Sequence, residues 1–309
     1  MASPVIRDGV YRKLIELSPA SLSDEILYGR GGLAERRISD HSRYGSLPKT
    51  VSERARLVER LITELGKEAG CESPSFAGIP GFWKDGNGEW RLLSRFDSND
   101  DLMLIPFIGR DGLIQACQIR FMKYVEYRSG NYLWLSSSKE PMGCGPGSPL
   151  HHADPGSRLD RPVLVTEGAL KAATAQKYLT DRYVVGNSGV ATAHREIVET
   201  ARRKPLEIAF DRDSFTNPQV ARALEALVRV RRSDQSFFAY NDEVRIVTWH
   251  SPVKGLDEAL LAGHRIEYLT VAEWLKCLTP ECLQEAQTQL SIPERNKEAA
   301  GGRQYEPAK

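Results

Sequence analysis

Residues 161–213 read RPVLVTEGALKAATAQKYLTDRYVVGNSGVATAHREIVETARRKPLEIAFDRD, and their pattern decides the fold. VLVTEG (163–168) is an apolar run that stops at Glu-Gly, and ALKAATAQKYL (169–179) is an unbroken series of helix formers. YVVGNSG (183–189) is a second apolar run entering a Gly-containing loop. TAHREIVETARR (192–203) is a second helix and LEIAFDRD (206–213) a third strand. Apolar strands alternating with helices predict an α/β unit, a mostly parallel sheet flanked by helices on both faces. Downstream the alternation continues. NPQVARALEALVRVRR (217–232) is a helix with Pro218 in its first turn, VRIVTWH (244–250) a strand, and LDEALLAG (256–263) the start of a short helix. Residues 291–309 are charged, contain Gly and lack periodicity, which predicts a flexible tail.

In open α/β sheets, ligands bind at the carboxyl ends of the strands. Glu167 ends the first strand, Asp211 and Asp213 end the third, and Asp257 and Glu258 follow the fourth after a loop containing Lys254 and Gly255. Two acids at i and i+2 on an extended strand end point to the same side. Oxygen-only acidic sites select Mg²⁺ or Mn²⁺, and Mg²⁺ typically bridges carboxylates to phosphate.

Upstream, residues 1–75 read as a helical, polar region. SERARLVERLITELG (52–66) has an apolar stripe at Leu57, Leu61 and Leu65, with Ser52 as its expected N-cap and Gly66 as its stop. The stripe and the absence of a concentrated basic face predict a cap on the sheet that follows. Residues 76–160 change character. LMLIPFIG (102–109) and LIQACQIRF (113–121) flank an Asp-Gly turn and predict a hairpin, NYLWLSS (131–137) predicts a further strand, and 141–161 read as a loop. Arg120, Lys123, Arg128 and Lys139 are candidate phosphate contacts, interleaved with Tyr124, Tyr127, Tyr132 and Trp134 as candidate stacking platforms.

Composition sets outer limits. With 41% apolar and 27% charged residues, the chain is neither collagen-like, fully disordered nor a disulfide framework, and 309 residues suggest two domains. Lysine and arginine total 42 against 41 acids, evenly distributed, which excludes a nucleic-acid binder driven by bulk charge; any such binding comes from a local patch. No apolar run approaches the ~18 residues of a membrane helix and the N-terminus lacks a signal-peptide core, so a cytoplasmic protein without a membrane partner is expected. Cys71, Cys117, Cys144, Cys277 and Cys282 form no C-x-x-C pair and read as reduced thiols.

TEGALKA (166–172), FDRD (210–213) and KGLDEAL (254–260), in this order and at these intervals, resemble the motifs of the Toprim domain shared by bacterial-type primases, topoisomerases and some nucleases. The resemblance covers about 161–264 and implies a Toprim domain over 161–290. The hairpin and following strand resemble the α+β subdomain that precedes Toprim in bacterial-type primases. GSPLHH (147–152) and AFDRDSFTNPQVARAL (209–224) look closest to a Toprim-bearing family of plasmid and phage replication proteins. There are departures. Lys171 stands where an acid is usual and Asn131 where a basic residue is common. The zinc-binding module of replicative primases has no counterpart in these residues, and no P-loop occurs.

The resemblance implies that Asp211 and Asp213 hold Mg²⁺ or Mn²⁺, with Asp257 or Glu258 assisting. Glu167 would bind a second metal or act as general base. Arg120, Lys123, Lys139, Lys171 and Lys254 would contact nucleic acid or nucleotide. The expected activity is primer synthesis on single-stranded DNA from nucleoside triphosphates by two-metal phosphoryl transfer, in replication of a mobile element, with a separate replicative helicase as an expected partner. Two other functions use the same residues: a metal-dependent DNA nuclease, and a non-catalytic nucleic-acid-binding or adaptor module.

Overall fold

A computed structural model describes residues 1–18, 44–70, 74–93, 97–122, 131–157, 160–234 and 244–288. Its elements are, in chain order, α1 (Pro4–Leu17), β1 (Gly45–Leu47), α2 (Val51–Ala69), β2 (Phe82–Lys84), β3 (Trp90–Leu92), β4 (Leu102–Ile108), β5 (Ile114–Phe121), β6 (Tyr132–Trp134), β7 (His151–His152), β8 (Val163–Glu167), α3 (Ala169–Tyr178), β9 (Tyr183–Asn187), α4 (His194–Thr200), β10 (Leu206–Ala209), α5 (Pro218–Ser233), β11 (Val244–Trp249), α6 (Leu256–Leu261), β12 (Ile266–Thr270), α7 (Val271–Cys277) and α8 (Pro280–Thr288). Lys123, Tyr124, Tyr127, Arg128 and the tail at 291–309 lie outside the described residues.

The first half is an antiparallel sheet ordered β1-β4-β5-β6, beside the small β2-β3 hairpin. Every residue of β4 is buried, which explains its continuous apolar run. Leu102, Leu104 and Ile108 face a core shared with Tyr11 and Leu14 of α1 and Leu57 and Leu61 of α2, while Met103, Ile105 and Phe107 face α3. The apolar stripe of α2 thus packs on the sheet. Its boundaries differ from expectation. Thr50, not Ser52, is the N-cap, because Thr50 Oγ1 accepts from Glu53 N (3.2 Å) and Glu53 returns a carboxylate to Thr50 N (3.2 Å). The helix runs through Gly66 and stops at Gly70, whose φ of 64° suits a residue without a Cβ.

The second half is a six-stranded sheet ordered β12-β11-β10-β8-β9-β7. The four central strands are parallel and both edge strands antiparallel. One face packs Val163, Val165, Ile208 and Ile246 under α4, α5, α7 and α8, and the other packs Leu164, Val184 and Val247 against α3 and α6. The expected loop at 141–161 contains an edge strand. His151 and His152 are buried in β7, with His151 Nδ1 accepting the Ile108 backbone N–H (3.2 Å) and His152 Nδ1 hydrogen-bonded to the Tyr183 hydroxyl (2.8 Å). Burial lowers both imidazoles, His151 to about 3 and His152 to about 4, so both are neutral pieces of structure. No helix among the described residues is long and apolar enough to cross a membrane.

Candidate active site at the strand ends

The order β10-β8-β9 contains a reversal. The chain passes from β8 to its neighbour β9, then returns to the other side of β8 to form β10. The carboxyl ends of β8 and β10 therefore flank a topological switch point, where α/β sheets open a crevice. Parallel register aligns Thr166 with Ala209 and Ile208 with Ile246, so Glu167, Asp211 and the loop after β11 emerge on the same edge.

Two turns fix the side chains there. Gly168, at φ 89°, turns β8 into α3 with its N–H bonded to Asn187 O (2.7 Å), placing Lys171 on the first turn of α3. After β10 a 3₁₀ turn at Arg212–Phe215 fixes Asp211 and Asp213. Arg212 ties it to the next loop, through its N–H to Lys254 O (3.0 Å) and its guanidinium to Ser251 O.

Glu167, Lys171, Asp211 and Lys254 line one cavity of about 300 Å³, with Ile105, Gln118, Asn131 and Tyr132 of the first sheet forming its opposite wall. Asp211 Oδ1 accepts from the Lys171 ammonium. Lys254 Nζ lies 2.8 Å from Asp213 Oδ2 and 3.8 Å from Asp211 Oδ2. The lysines differ in freedom, since the Lys171 side chain is 20% exposed and that of Lys254 63%. Desolvation raises the Glu167 carboxyl above the ordinary glutamate value, with Lys171 pulling it down and Asp211 and Asp213 pushing it up. The bond from Lys254 to Asp213 raises Lys254.

The other predicted residues are placed as follows. Asp257 is buried behind Lys171. Its Oδ1 and the Lys171 Nζ both lie within 3.5 Å of the point where a side chain at residue 255 would begin, which is why Gly255 fits there. Glu258 is used to start a helix: its Oε2 accepts the backbone N–H groups of Lys254 (3.1 Å) and Gly255 (3.2 Å). Arg120 lies on the α3-facing side of β5, its guanidinium 5.5 Å from the centre of the Tyr132 ring, and its buried Nε and Nη1 find no hydrogen-bond partner among the described residues. Lys139 is exposed on a turn outside the cavity. Trp134 packs on Phe107 (4.7 Å) as a core residue.

Asn187 was not singled out by sequence reasoning. It is fully buried in register with Glu167 on the neighbouring strand, and neither side-chain amide atom has a hydrogen-bond partner among the described residues. A buried orphan amide requires an explanation, and the signal available was its place at a strand end within GNSG. A larger cleft of about 660 Å³, toward the C-terminal end of α3 and lined by Arg110, Arg161 and Lys177, contains none of the strand-end acids.

Hard carboxylate oxygens suit Mg²⁺ or Mn²⁺. Among the described residues, however, no three Asp, Glu, His or Cys side chains are gathered closely enough to hold an ion. The aspartates are instead engaged by ammonium groups, Asp211 by Lys171 and Asp213 by Lys254. Lys254, the more exposed of the two, is the one a hard cation would have to displace to reach these oxygens.

No family model matches the chain, and no curated protein matches it in sequence. Solved structures of similar fold are primase cores. A DnaG catalytic core aligns at TM-score 0.54 and 16% identity, covering 94% of this chain and 90% of that one. The zinc-binding and RNA polymerase domains of the Aquifex aeolicus primase align at 0.52 and 16%, covering 94% and 74%. A DnaG catalytic domain bound to single-stranded DNA aligns at 0.52 and 17%, covering 93% and 90%. The chain has the mixed α/β fold of the DnaG primase catalytic core.

Proposed function

We propose, with the primase fold as premise, that the six-stranded sheet is a Toprim-type sheet and that this chain is a primase-like nucleotidyltransferase. It joins nucleoside triphosphates into short primers on single-stranded DNA, in plasmid, phage or other mobile-element replication in the cytoplasm, where a separate replicative helicase would supply the template. The observation that carries this reading is the convergence of Glu167, Lys171, Asp211 and Lys254 on one cavity facing the first sheet.

Asp211 and Asp213 would hold Mg²⁺ or Mn²⁺, which when bound supplies Lewis-acid polarisation of a phosphoryl oxygen. The remaining work belongs to side chains. Lys254 leaves Asp213 for the triphosphate. Arg120, with two nitrogens unpartnered among the described residues, binds a phosphate bidentately while resting on Tyr132. Glu167, poorly solvated, takes the proton from the attacking 3′-hydroxyl. The 3′-oxygen bonds to the α-phosphorus, the bond from that phosphorus to the bridging oxygen breaks, and pyrophosphate leaves.

The test is incubation of the purified protein with single-stranded template, Mn²⁺ and labelled nucleotides. Template-dependent oligomers are expected, reduced about 10²–10³-fold in Asp211→Ala. Shortened template without incorporation would assign the acids to a nuclease. DNA binding that persists in Asp211→Ala, with no product from either protein, would assign a non-catalytic module.

A further inference from the structure

The larger cleft, of about 660 Å³, has a size ordinary for small-molecule sites. It opens at the far end of α3 from the strand-end acids. That helix, ten residues and roughly 15 Å long, carries Lys171 in its first turn and Lys177 in its last. Buried Pro106, Ile108 and Ala173 give the cleft an apolar floor, and Arg110, Arg161 and Lys177 give it positive charge. These charges are not spent on carboxylates. Arg110 and Lys177 are exposed and form no ion pair among the described residues. Arg161 donates from Nη1 to the carbonyl of Thr180 (2.6 Å), which orients its guanidinium without neutralising it. Of the two acids in the lining, Asp111 is turned into its own hairpin turn, accepting from Leu113 N (3.1 Å) and Gln115 Nε2 (3.2 Å), and Asp154 remains. Burial, and then the charge of Arg110, hold the neighbouring Lys204 ammonium below the ordinary lysine value, as a positive field requires.

The wall also holds a directional donor. His151 is only 5% exposed, and its Nδ1 accepts the Ile108 N–H (3.2 Å). The ring is neutral, so its one proton lies on Nε2. That N–H has no hydrogen-bond partner among the described residues, and His151 lines the cleft. A donor so placed needs an acceptor. An inorganic anion would use only the cations, whereas an apolar floor with one fixed donor suits a planar body that carries acceptors of its own.

We propose that this cleft is a second ligand site and that it takes a nucleoside phosphate. The base rests on Pro106, Ile108 and Ala173 within reach of His151 Nε2, and the phosphates meet Arg110, Arg161 and Lys177. The side-chain cations supply the counter-charge. The inference goes beyond primer synthesis and does not depend on it.

Isothermal titration calorimetry of the full chain with ADP, in the presence of EDTA, tests this without reference to activity. Binding is expected, weakened about tenfold or more in Arg110→Glu and in Lys177→Glu, exposed positions whose substitution leaves the fold intact, and unchanged in Lys254→Ala. His151→Phe keeps a ring in place without the Nε2–H, and should weaken ADP while leaving the binding of tripolyphosphate as it was. Should that variant fail to fold, the two surface variants decide. Absence of binding overturns the inference, and so does binding insensitive to Arg110→Glu and Lys177→Glu. If that insensitive binding disappears in Lys254→Ala, the nucleotide sits at the strand ends and the primer-synthesis reading stands. Tripolyphosphate that binds as tightly as ADP overturns the nucleoside assignment. A single-stranded oligonucleotide that displaces ADP and depends on the same residues more strongly would make the cleft part of a nucleic-acid track, and overturns it too.

Discussion

Strand β10 carries two buried carboxylates with different surroundings. Glu207, within the strand, accepts from Arg182 Nε at 2.7 Å, and the same guanidinium donates to the Tyr268 hydroxyl (3.2 Å) and lies over its ring (5.8 Å). Asp211, just past the strand end, faces a cavity and is held by lysines, one of them largely in solvent. Both acids are removed from water, so burial does not distinguish them. The exchangeability of the counter-charge does. A planar guanidinium locked by a carboxylate and a phenol is structural, whereas Lys254, flexible and largely exposed beside an open cavity, can be traded for a ligand.

That contrast can be broken experimentally. The largest effect is expected where the roles diverge most. Arg182→Ala strands a buried Glu207 and should cost about 3–5 kcal/mol in unfolding free energy by denaturant titration, with the folded fraction fully active. Asp211→Asn should leave the unfolding midpoint nearly unchanged while removing primer synthesis. If both variants lose mainly stability, the strand-end acids are structural too.

Next is Glu167→Gln, expected to lower the turnover number about 10²-fold or more as a general base is lost, with a melting temperature equal to or above that of the parent. The sign follows from its raised carboxyl. A carboxyl raised by folding costs stability once ionised. That cost is absent below the ordinary value of 4.5 and grows as pH rises through the folded value, and glutamine removes it. Activity runs oppositely, because the base must be ionised. The acid limb of the rate profile should therefore lie above the usual glutamate range.

The smallest effect belongs to Asn187→Leu. Replacing an orphan amide with an apolar group of similar size should be neutral or stabilising. If the amide positions Glu167, kcat/KM falls about tenfold and the acid limb shifts; an unchanged profile would remove Asn187 from the site.

The placement of the candidate residues was partly legible in the sequence because strand ends announce themselves. An apolar run ending in Glu-Gly, and another ending in Asp-Arg-Asp, mark two strand ends, and the parallel register of β8 and β10 sets Glu167 and Asp211 on the same edge. What could not be read was how charges pair across long separations. Lys171 was recognisable as an unusual residue, but its partner lies 40 positions away, and only the parallel pairing of β8 and β10 brings them together. Glu258 illustrates the converse: an acid at the third helical position serves its own helix terminus, a local preference that competes with a site role. The edge strands β7 and β12 escaped notice because a two-residue strand has no period, and IEYLT (266–270) is only half-buried.

Helix α3 is squeezed from both sides. Ala169, Leu170 and Ala173 meet the first sheet, Ala172 and Ala175 the second, and its first turn carries Lys171. With little more than methyl groups as spacers, this rod has no slack in either direction. Any sliding of one layer over the other must drag the lysine along, so the width of the cleft and the position of its tethered charge are geared to a single moving part.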